Sequence, residues 1–494
     1  MTGTPGGPLL VLAIALPLGA TLIAFVLGGQ AAARVARGSL WLWLMLVAAI
    51  AAVVIARGEP LTYLLGGFAP PLGIALVADG LASAMLLAAA IVLVATALFG
   101  RIAYPEPSWV KGGRAAFAYW CLLPALAASL AVAFLARDLF SLFVALEMLT
   151  FTALALACLD GRPSQFKAEL RYLLFALLGS VLYLLGCALL YGAYGTLDIG
   201  LLAGKTRADA PTRLAGALMT AGLLAKMAVF PLHLWLPPAH AGAPPAASAL
   251  LSGLVVKGAF VLLVRLWFSV LPGPPVAGAE LLASLGAAAI LVGSVVALRQ
   301  ERLKALIAYS TVAQIGYLFL MFPLLMAGDA EAGSRAWMGG MLQAVSHALA
   351  KAAMFLGAGL IVQSVGDDRV AGLGGAARAA PFAVLAIGIG GLSLMGVPPS
   401  GGFTAKWLLL RASVDTGQWW WSLVILAGGL LTGGYVYRLI AAALGPAAPG
   451  TAPRAVPRLQ EGSVLGLALL SMLLGLLPLS MLGLARIGQP IMLP

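Results

Sequence analysis

The residues best placed to do chemistry are charged side chains set inside long apolar runs. Glu147 stands in the middle of LFSLFVALEMLTFTALALACL, Lys226 in LMTAGLLAKMAVFPLHLW and Lys257 in LLSGLVVKGAFVLLV. Lys351 lies in AVSHALAKAAMFLGAG and Lys406 in VPPSGGFTAKWLLL. His347 precedes Lys351 by four residues, so on a helix the two share one face. A charge at the centre of a membrane helix costs about 2.5–3.5 kcal/mol on insertion scales, so each needs a compensating reason. A structural salt bridge with Glu147 is one such reason, but it accounts for a single lysine. Surplus buried lysines must be solvated internally or be neutral part of the time, because desolvation favours the neutral amine. Groups that lose and regain a proton are what a proton relay requires.

Other candidates are less distinctive. Asp79 opens one apolar segment and Asp138 stands near the start of another. With Arg137 they fit equally well as interfacial residues with heads in water or as access and supporting groups of a relay. Arg265 reads as a snorkelling side chain near a segment end. His233 and His240 flank a proline-rich stretch, HLWLPPAHAGAPP. Their seven-residue spacing and lack of nearby acids argue against a metal site and leave access or supporting roles. Cys121, Cys158 and Cys187 lie in apolar segments and form no CxxC, which argues against disulfides, iron–sulfur clusters and zinc. GLLAGKT at 200–206 is one residue short of a phosphate loop and follows no strand, so nucleotide-driven transport is not expected. The expectation is no metal and no cofactor.

The elements that position these residues follow from composition. Of 494 residues, 62% are hydrophobic and 9% charged. Soluble domains have roughly 45–50% apolar and about 25% charged residues. A helical polytopic membrane protein fits, since each span needs about 20 apolar residues. The net charge of +12 comes from basic residues scattered singly or in threes, with no basic stripe for nucleic acid. Met1 to Pro8 contain no Lys or Arg, so no cleavable signal peptide is expected.

Apolar runs bounded by charge, Gly and Pro give fourteen segments. They lie near 9–28, 39–56, 79–99, 115–136, 139–159, 170–194, 214–237, 246–271, 277–298, 304–326, 337–365, 380–413, 418–443 and 463–486. The connection at 57–78 is long enough for irregular structure. Loops after odd-numbered segments hold 16 of the 29 Lys and Arg, against 8 on the opposite side. That bias predicts cytoplasmic odd-numbered loops and both termini outside. Pro231 follows Lys226 by five residues, while Pro398 and Pro399 precede Lys406, which predicts that segments 7 and 12 are broken helices. Matched interruptions five segments apart imply an inverted repeat, segments 4–8 (115–271) against 9–13 (277–443). Segments 1–3 (1–114) and segment 14 (463–486) flank the two halves of one membrane domain.

Four stretches now carry a resemblance. FPLHLWLPPAHAGAPPAASALLSG, ERLKALIAYSTVAQIGY, SHALAKAAMFLGAG and GVPPSGGFTAKW resemble, in order, signatures of antiporter-like subunits. That family is shared by respiratory complex I, Mrp-type cation/proton antiporters and membrane-bound hydrogenases. The resemblance is strongest from about 130 to 410 and implies two inverted five-helix repeats with buried polar groups near the midplane. By similarity, Glu147, Lys226, Lys257, the pair His347 and Lys351, and Lys406 match the family's ionisable residues of spans 5, 7, 8, 11 and 12. Two features narrow the choice: the M-type complex I subunit has glutamate at the Lys406 position, and the L-type continues into a long lateral helix. The D-type subunit of an Mrp sodium/proton antiporter is the first expectation, with an N-type complex I subunit or a hydrogenase relative as the alternative. One departure is Pro238, where the family's usual WLPDAH has aspartate.

The resemblance implies a switchable Glu147–Lys226 pair passing protons through Lys257 and His347 or Lys351 to Lys406. It also implies companion membrane subunits, protons and Na+ as transported ions, and a bacterial-type inner membrane. In a complex I-like assembly the chain would be part of a translocase. A structural scaffold whose charges only dock helices is the reading from a different class.

Overall fold

Where water is absent, backbone N–H and C=O groups must be satisfied within the chain, and apolar runs resolve this as helices. The computed structural model describes residues 3–105, 113–273, 275–327, 329–447, 454–477 and 481–490. Among these, twelve helices are long and apolar enough to cross a membrane. Their ends follow local chemistry. Asp79, Asp138, Asp209 and Asp329 cap the helices Gly80–Ala103, Leu139–Ala157, Ala210–Lys226 and Ala330–Val365, each accepting from a backbone N–H three residues on. Gly58, at φ 70°, closes the helix Gly29–Arg57 in the left-handed conformation that a side chain would oppose.

The two segments expected to be broken helices, 214–237 and 380–413, are each divided in two. The first is Ala210–Lys226 followed by the short helix Leu236–Gly242, and the second is Pro381–Met395 followed by Gly401–Asp415. The last segment departs from the continuous 463–486 run. Its α-helix spans Arg458–Leu473, 3-10 turns follow at Leu474–Leu476 and Met481–Arg486, and 478–480 lie outside the described residues. The long connection at 57–78 is more regular than expected. Leu61–Leu64 pairs antiparallel with Ala75–Ala78, with Leu61 opposite Ala78.

Burial separates centre from rim. In the most apolar window of Pro245–Val270 every residue is buried, whereas in Pro8–Leu27 only 28% are. The central helix carries two widened π turns, Leu251–Val255 and Leu266–Val270. Beside it runs the 36-residue helix Ala330–Val365, also mostly buried. Leu22, Phe25, Val26, Leu174 and Leu430 point outward and are exposed, an apolar rim suited to lipid.

The loops pair in two similar crossings. Leu139 N–H donates to Leu197 and Ile199 N–H to Arg137, at 2.9 and 2.8 Å. Leu303 N–H donates to Asp368 and Val370 N–H to Glu301, both at 2.7 Å. The same two-bond pattern therefore ties the loops flanking 139 and 199 and those flanking 303 and 370.

Candidate functional site

Lys226 is the last residue of its half-helix, where the backbone turns out of the α conformation. Ala228 has φ 54°, and Phe230–Pro231 is a cis bond. Pro231 has no N–H, and the carbonyls released by the break need donors from elsewhere. The Ala225 carbonyl finds one in the Trp235 indole, whose N–H donates at 3.0 Å. The Lys226 side chain turns toward the helix Leu139–Ala157. Its Nζ lies 3.1 Å from Glu147 Oε1 and 3.1 Å from Thr150 Oγ1. Ser180 Oγ donates to the same Glu147 oxygen. Lys226 is buried, while the Glu147 side chain keeps 19% exposure.

Lys257 sits on the central helix, fully buried. Its ammonium donates to the Ser252 carbonyl, five residues back within the widened π turn. That turn departs from the i→i−4 ladder, and the lysine takes a carbonyl the ladder would otherwise use. Ser252 Oγ in turn meets Thr311 Oγ1 at 2.9 Å. Lys351, on Ala330–Val365, is also fully buried and donates to the Ile307 carbonyl at 2.9 Å and to Ser310 Oγ. His347 lies one turn before it, within electrostatic reach of Lys257, Lys351 and Lys406. Neither of its ring nitrogens has a hydrogen-bond partner among the described residues. Beside it, Ser346, Ser393 and Ser471 form a hydroxyl triangle with edges of 3.0, 3.1 and 2.8 Å.

Lys406 is held differently. The half-helix Gly401–Asp415 folds back on the end of Pro381–Met395, and Lys406 Nζ donates to the Leu394 and Met395 carbonyls. These are last-turn carbonyls left free where the first half-helix stops, at the negative end of its dipole. The Tyr317 ring lies 4.1 Å from the ammonium, a cation–π contact. Here too the break carries a cis bond, Pro398–Pro399.

Of the candidate access groups, Asp138 and Asp79 are placed apart from this line, whereas His240 lies within electrostatic reach of Lys257 and Lys351. Asp138 caps its helix, its Oδ1 accepting from Ser141 N and Oγ at 2.7 and 3.0 Å. Asp79 is buried and pairs with Arg137 at 2.7 Å and Arg265 at 3.2 Å. Arg265 does not snorkel: it is 2% exposed and also donates to the Phe134 carbonyl at 2.6 Å. A buried guanidinium is tolerated because a carboxylate and a carbonyl meet it there. His233 lies inside the first break, stacked on Phe230 at 5.6 Å. His240 is fully buried against Phe355, with both ring nitrogens unpartnered among the described residues. Pro238 lines a cavity between loops.

Several members of the site carry no charge and escaped the sequence reading. Thr150 and Ser180 surround the Glu147–Lys226 pair, Ser310 holds Lys351, and Tyr317 covers Lys406. Gln314 donates to the Leu394 carbonyl at 3.0 Å and accepts from Gln343 at 3.1 Å, which extends the polar network. A buried acid, Glu169, also went unnoticed. Polar residues at helical spacing within AYSTVAQIGY were the available signal for Ser310 and Gln314.

Residues 136–432 match the family described as NADH:quinone oxidoreductase/Mrp antiporter, TM. The N-type subunit of the NADH-quinone oxidoreductase of Desulforudis audaxviator (strain MP104C) is 35% identical over 396 residues, 79% of this chain and 76% of its own. The D-type subunit of the Na(+)/H(+) antiporter of Alkalihalophilus pseudofirmus is 28% identical over 429 residues, 86% of this chain and 84% of its own. A chain in the solved Mrp complex from Dietzia sp. DQ12-45-1b superposes with a TM-score of 0.88 at 25% identity, over 97% of this chain and 96% of that one.

Proposed function

This chain belongs to the NADH:quinone oxidoreductase/Mrp antiporter membrane family, and on that premise we propose that it is the proton-translocating, N-type subunit of an oxidoreductase-class complex. It is an integral multi-pass membrane protein, an antiporter-like subunit of the kind found in Mrp and complex I assemblies. The first expectation, the D-type subunit of an Mrp antiporter, is not favoured. The N-type relative is 35% identical and the D-type relative 28%. Cation exchange in an Mrp-type complex remains the second reading because of the shape agreement with a chain of such a complex.

The observation that carries the relay is the set Lys257, His347 and Lys351. These basic groups are at most 1% exposed and have no acidic partner among the described residues. Structural ion pairing does not explain them. With the Glu147–Lys226 pair closed, the carboxylate stabilises the ammonium. When the pair opens, Lys226 loses that stabilisation and releases its proton toward Lys257. His347 or Lys351 passes the charge to Lys406, where two carbonyls and the Tyr317 face receive it. Internal water bridges the gaps, and the sites titrate as a coupled set.

The paired loop crossings support an inverted repeat of 115–271 against 277–443. The family resemblance supports a bacterial-type inner membrane, and the charge bias supports odd-numbered loops in the cytoplasm with both termini outside. The test is the set of chains that copurify in mild detergent. Peripheral redox subunits, with proton uptake driven by a reduced donor, are expected. Recovery with small multi-span subunits alone, and sodium-dependent exchange, would replace the N-type reading with the Mrp one.

A further inference from the structure

Glu169 belongs to none of the groups above. It lies on the helix Pro163–Tyr194, is 1% exposed, and neither carboxylate oxygen has a hydrogen-bond partner among the described residues. A buried acid with both oxygens unpaired is costly and asks for a function. Its direction is fixed by its neighbours on the same face. Gln165, one turn before, donates to the Gly242 carbonyl at 3.0 Å. Tyr172, one turn after, stacks on Trp235 at 4.5 Å. Glu169 sits between them and so faces the short helix Leu236–Gly242, whose sequence LPPAHAG contains no acid.

On the loop side, a cavity of about 500 Å³ lies between Asp160, Arg162, Ala168, Pro238, Lys304 and Asp368. Arg162 is 71% exposed, so the cavity meets the surface, and Ala168 brings its wall to the residue beside Glu169. On the inner side, Tyr172 lies near Thr150, whose hydroxyl donates to the Leu146 carbonyl at 2.8 Å. Thr150 Oγ1 in turn accepts from Lys226 Nζ at 3.1 Å.

We propose that Glu169 takes protons from this cavity and delivers them to Lys226 through the hydroxyls of Tyr172 and Thr150. The idea rests on the relay role of Lys226. The Glu169 carboxylate binds a proton from cavity water and then donates it toward Tyr172. Tyr172 accepts one proton and releases its own, the Thr150 hydroxyl turns from the Leu146 carbonyl to do the same, and the neutral Lys226 amine takes the last. The carboxylate is regenerated, and the one charge moved ends on the ammonium.

The test uses the intact complex in sealed vesicles, with assembly checked by copurification. Glu169→Gln keeps the shape but carries no proton, and about a tenfold or larger loss of proton flux is expected. Glu169→Asp should keep most of the flux, and formate, a small permeant acid, should restore flux to the glutamine variant. A structural role would give neither rescue. An assembled Glu169→Gln complex within twofold of wild-type flux would overturn the proposal. Tyr172→Phe keeps the ring on Trp235 and removes the hydroxyl. It decides the matter if Glu169→Gln does not assemble, and wild-type flux through it would overturn the path. Lys226→Ala is run in parallel: undiminished flux there sinks the relay itself, whereas loss there with normal flux in Glu169→Gln removes only the new acid.

Discussion

A lysine in an apolar interior stays charged only where oxygens replace the water it lost. Lys226 has Glu147 and Thr150, Lys351 has a carbonyl and Ser310, and Lys257 has one carbonyl. The acid opposite Lys226 thus makes that site the one where charge is most strongly held, and opening the pair changes it most. Asp79 shows the contrasting, structural use of a buried acid. It joins Arg137 and Arg265, and its Oδ1 accepts from Ala82 N at 2.8 Å. Asp79→Asn keeps an oxygen for the cap and removes the charge between two guanidiniums. A loss of about 3–5 kcal/mol is expected, read as a lower thermal midpoint of the purified complex. Unchanged thermal stability would show that the guanidiniums are solvated. The difference in legibility is physical. Glu147 and the lysines stand out because nothing else nearby is charged. Glu169 lies between Lys167 and Arg171, just before the apolar run 170–194, so no local pattern marks it as buried. Arg265 meets an acid 186 positions away, a separation that no local pattern reveals.

At the scale of elements, the broken helices do the positioning. A half-helix that stops inside the protein presents free carbonyls, and a second half-helix places a lysine on them. Contact at the second break is close. A Cβ added at Gly402 would lie 1.9 Å from the Ser393 carbonyl oxygen. Gly402→Ala must push Gly401–Asp415 away from the end of Pro381–Met395 and move Lys406 off its carbonyls. A cost of about 1–3 kcal/mol and a marked loss of proton flux are expected. Gly462→Ala, with nothing within 4 Å of the new Cβ, is the matched control and should behave as wild type. Normal flux in Gly402→Ala would mean that Lys406 does not depend on this register. The breaks themselves were legible, because Pro231, Pro398 and Pro399 interrupt otherwise apolar runs. The π turns of Pro245–Val270 were not, since LSGLV and LWFSV read like any other helical stretch.

For the whole molecule, the two loop crossings and the basic bias make one prediction about sidedness. Arg369 and Arg207 are both exposed and belong to loops on opposite sides of the proposed frame. In a background lacking Cys121, Cys158 and Cys187, Arg369→Cys and Arg207→Cys should be labelled by an impermeant thiol reagent from opposite sides. Labelling from one side would contradict the inverted arrangement. The central claim, that Lys226 cycles its proton, is tested most directly by Lys226→Arg in the assembled complex. Arginine keeps the positive charge opposite Glu147, but with a pKa above about 12 it does not release its proton. With assembly confirmed by copurification, proton flux in sealed vesicles should fall to the level of Lys226→Ala. Wild-type flux through a fully assembled Lys226→Arg complex would contradict the account.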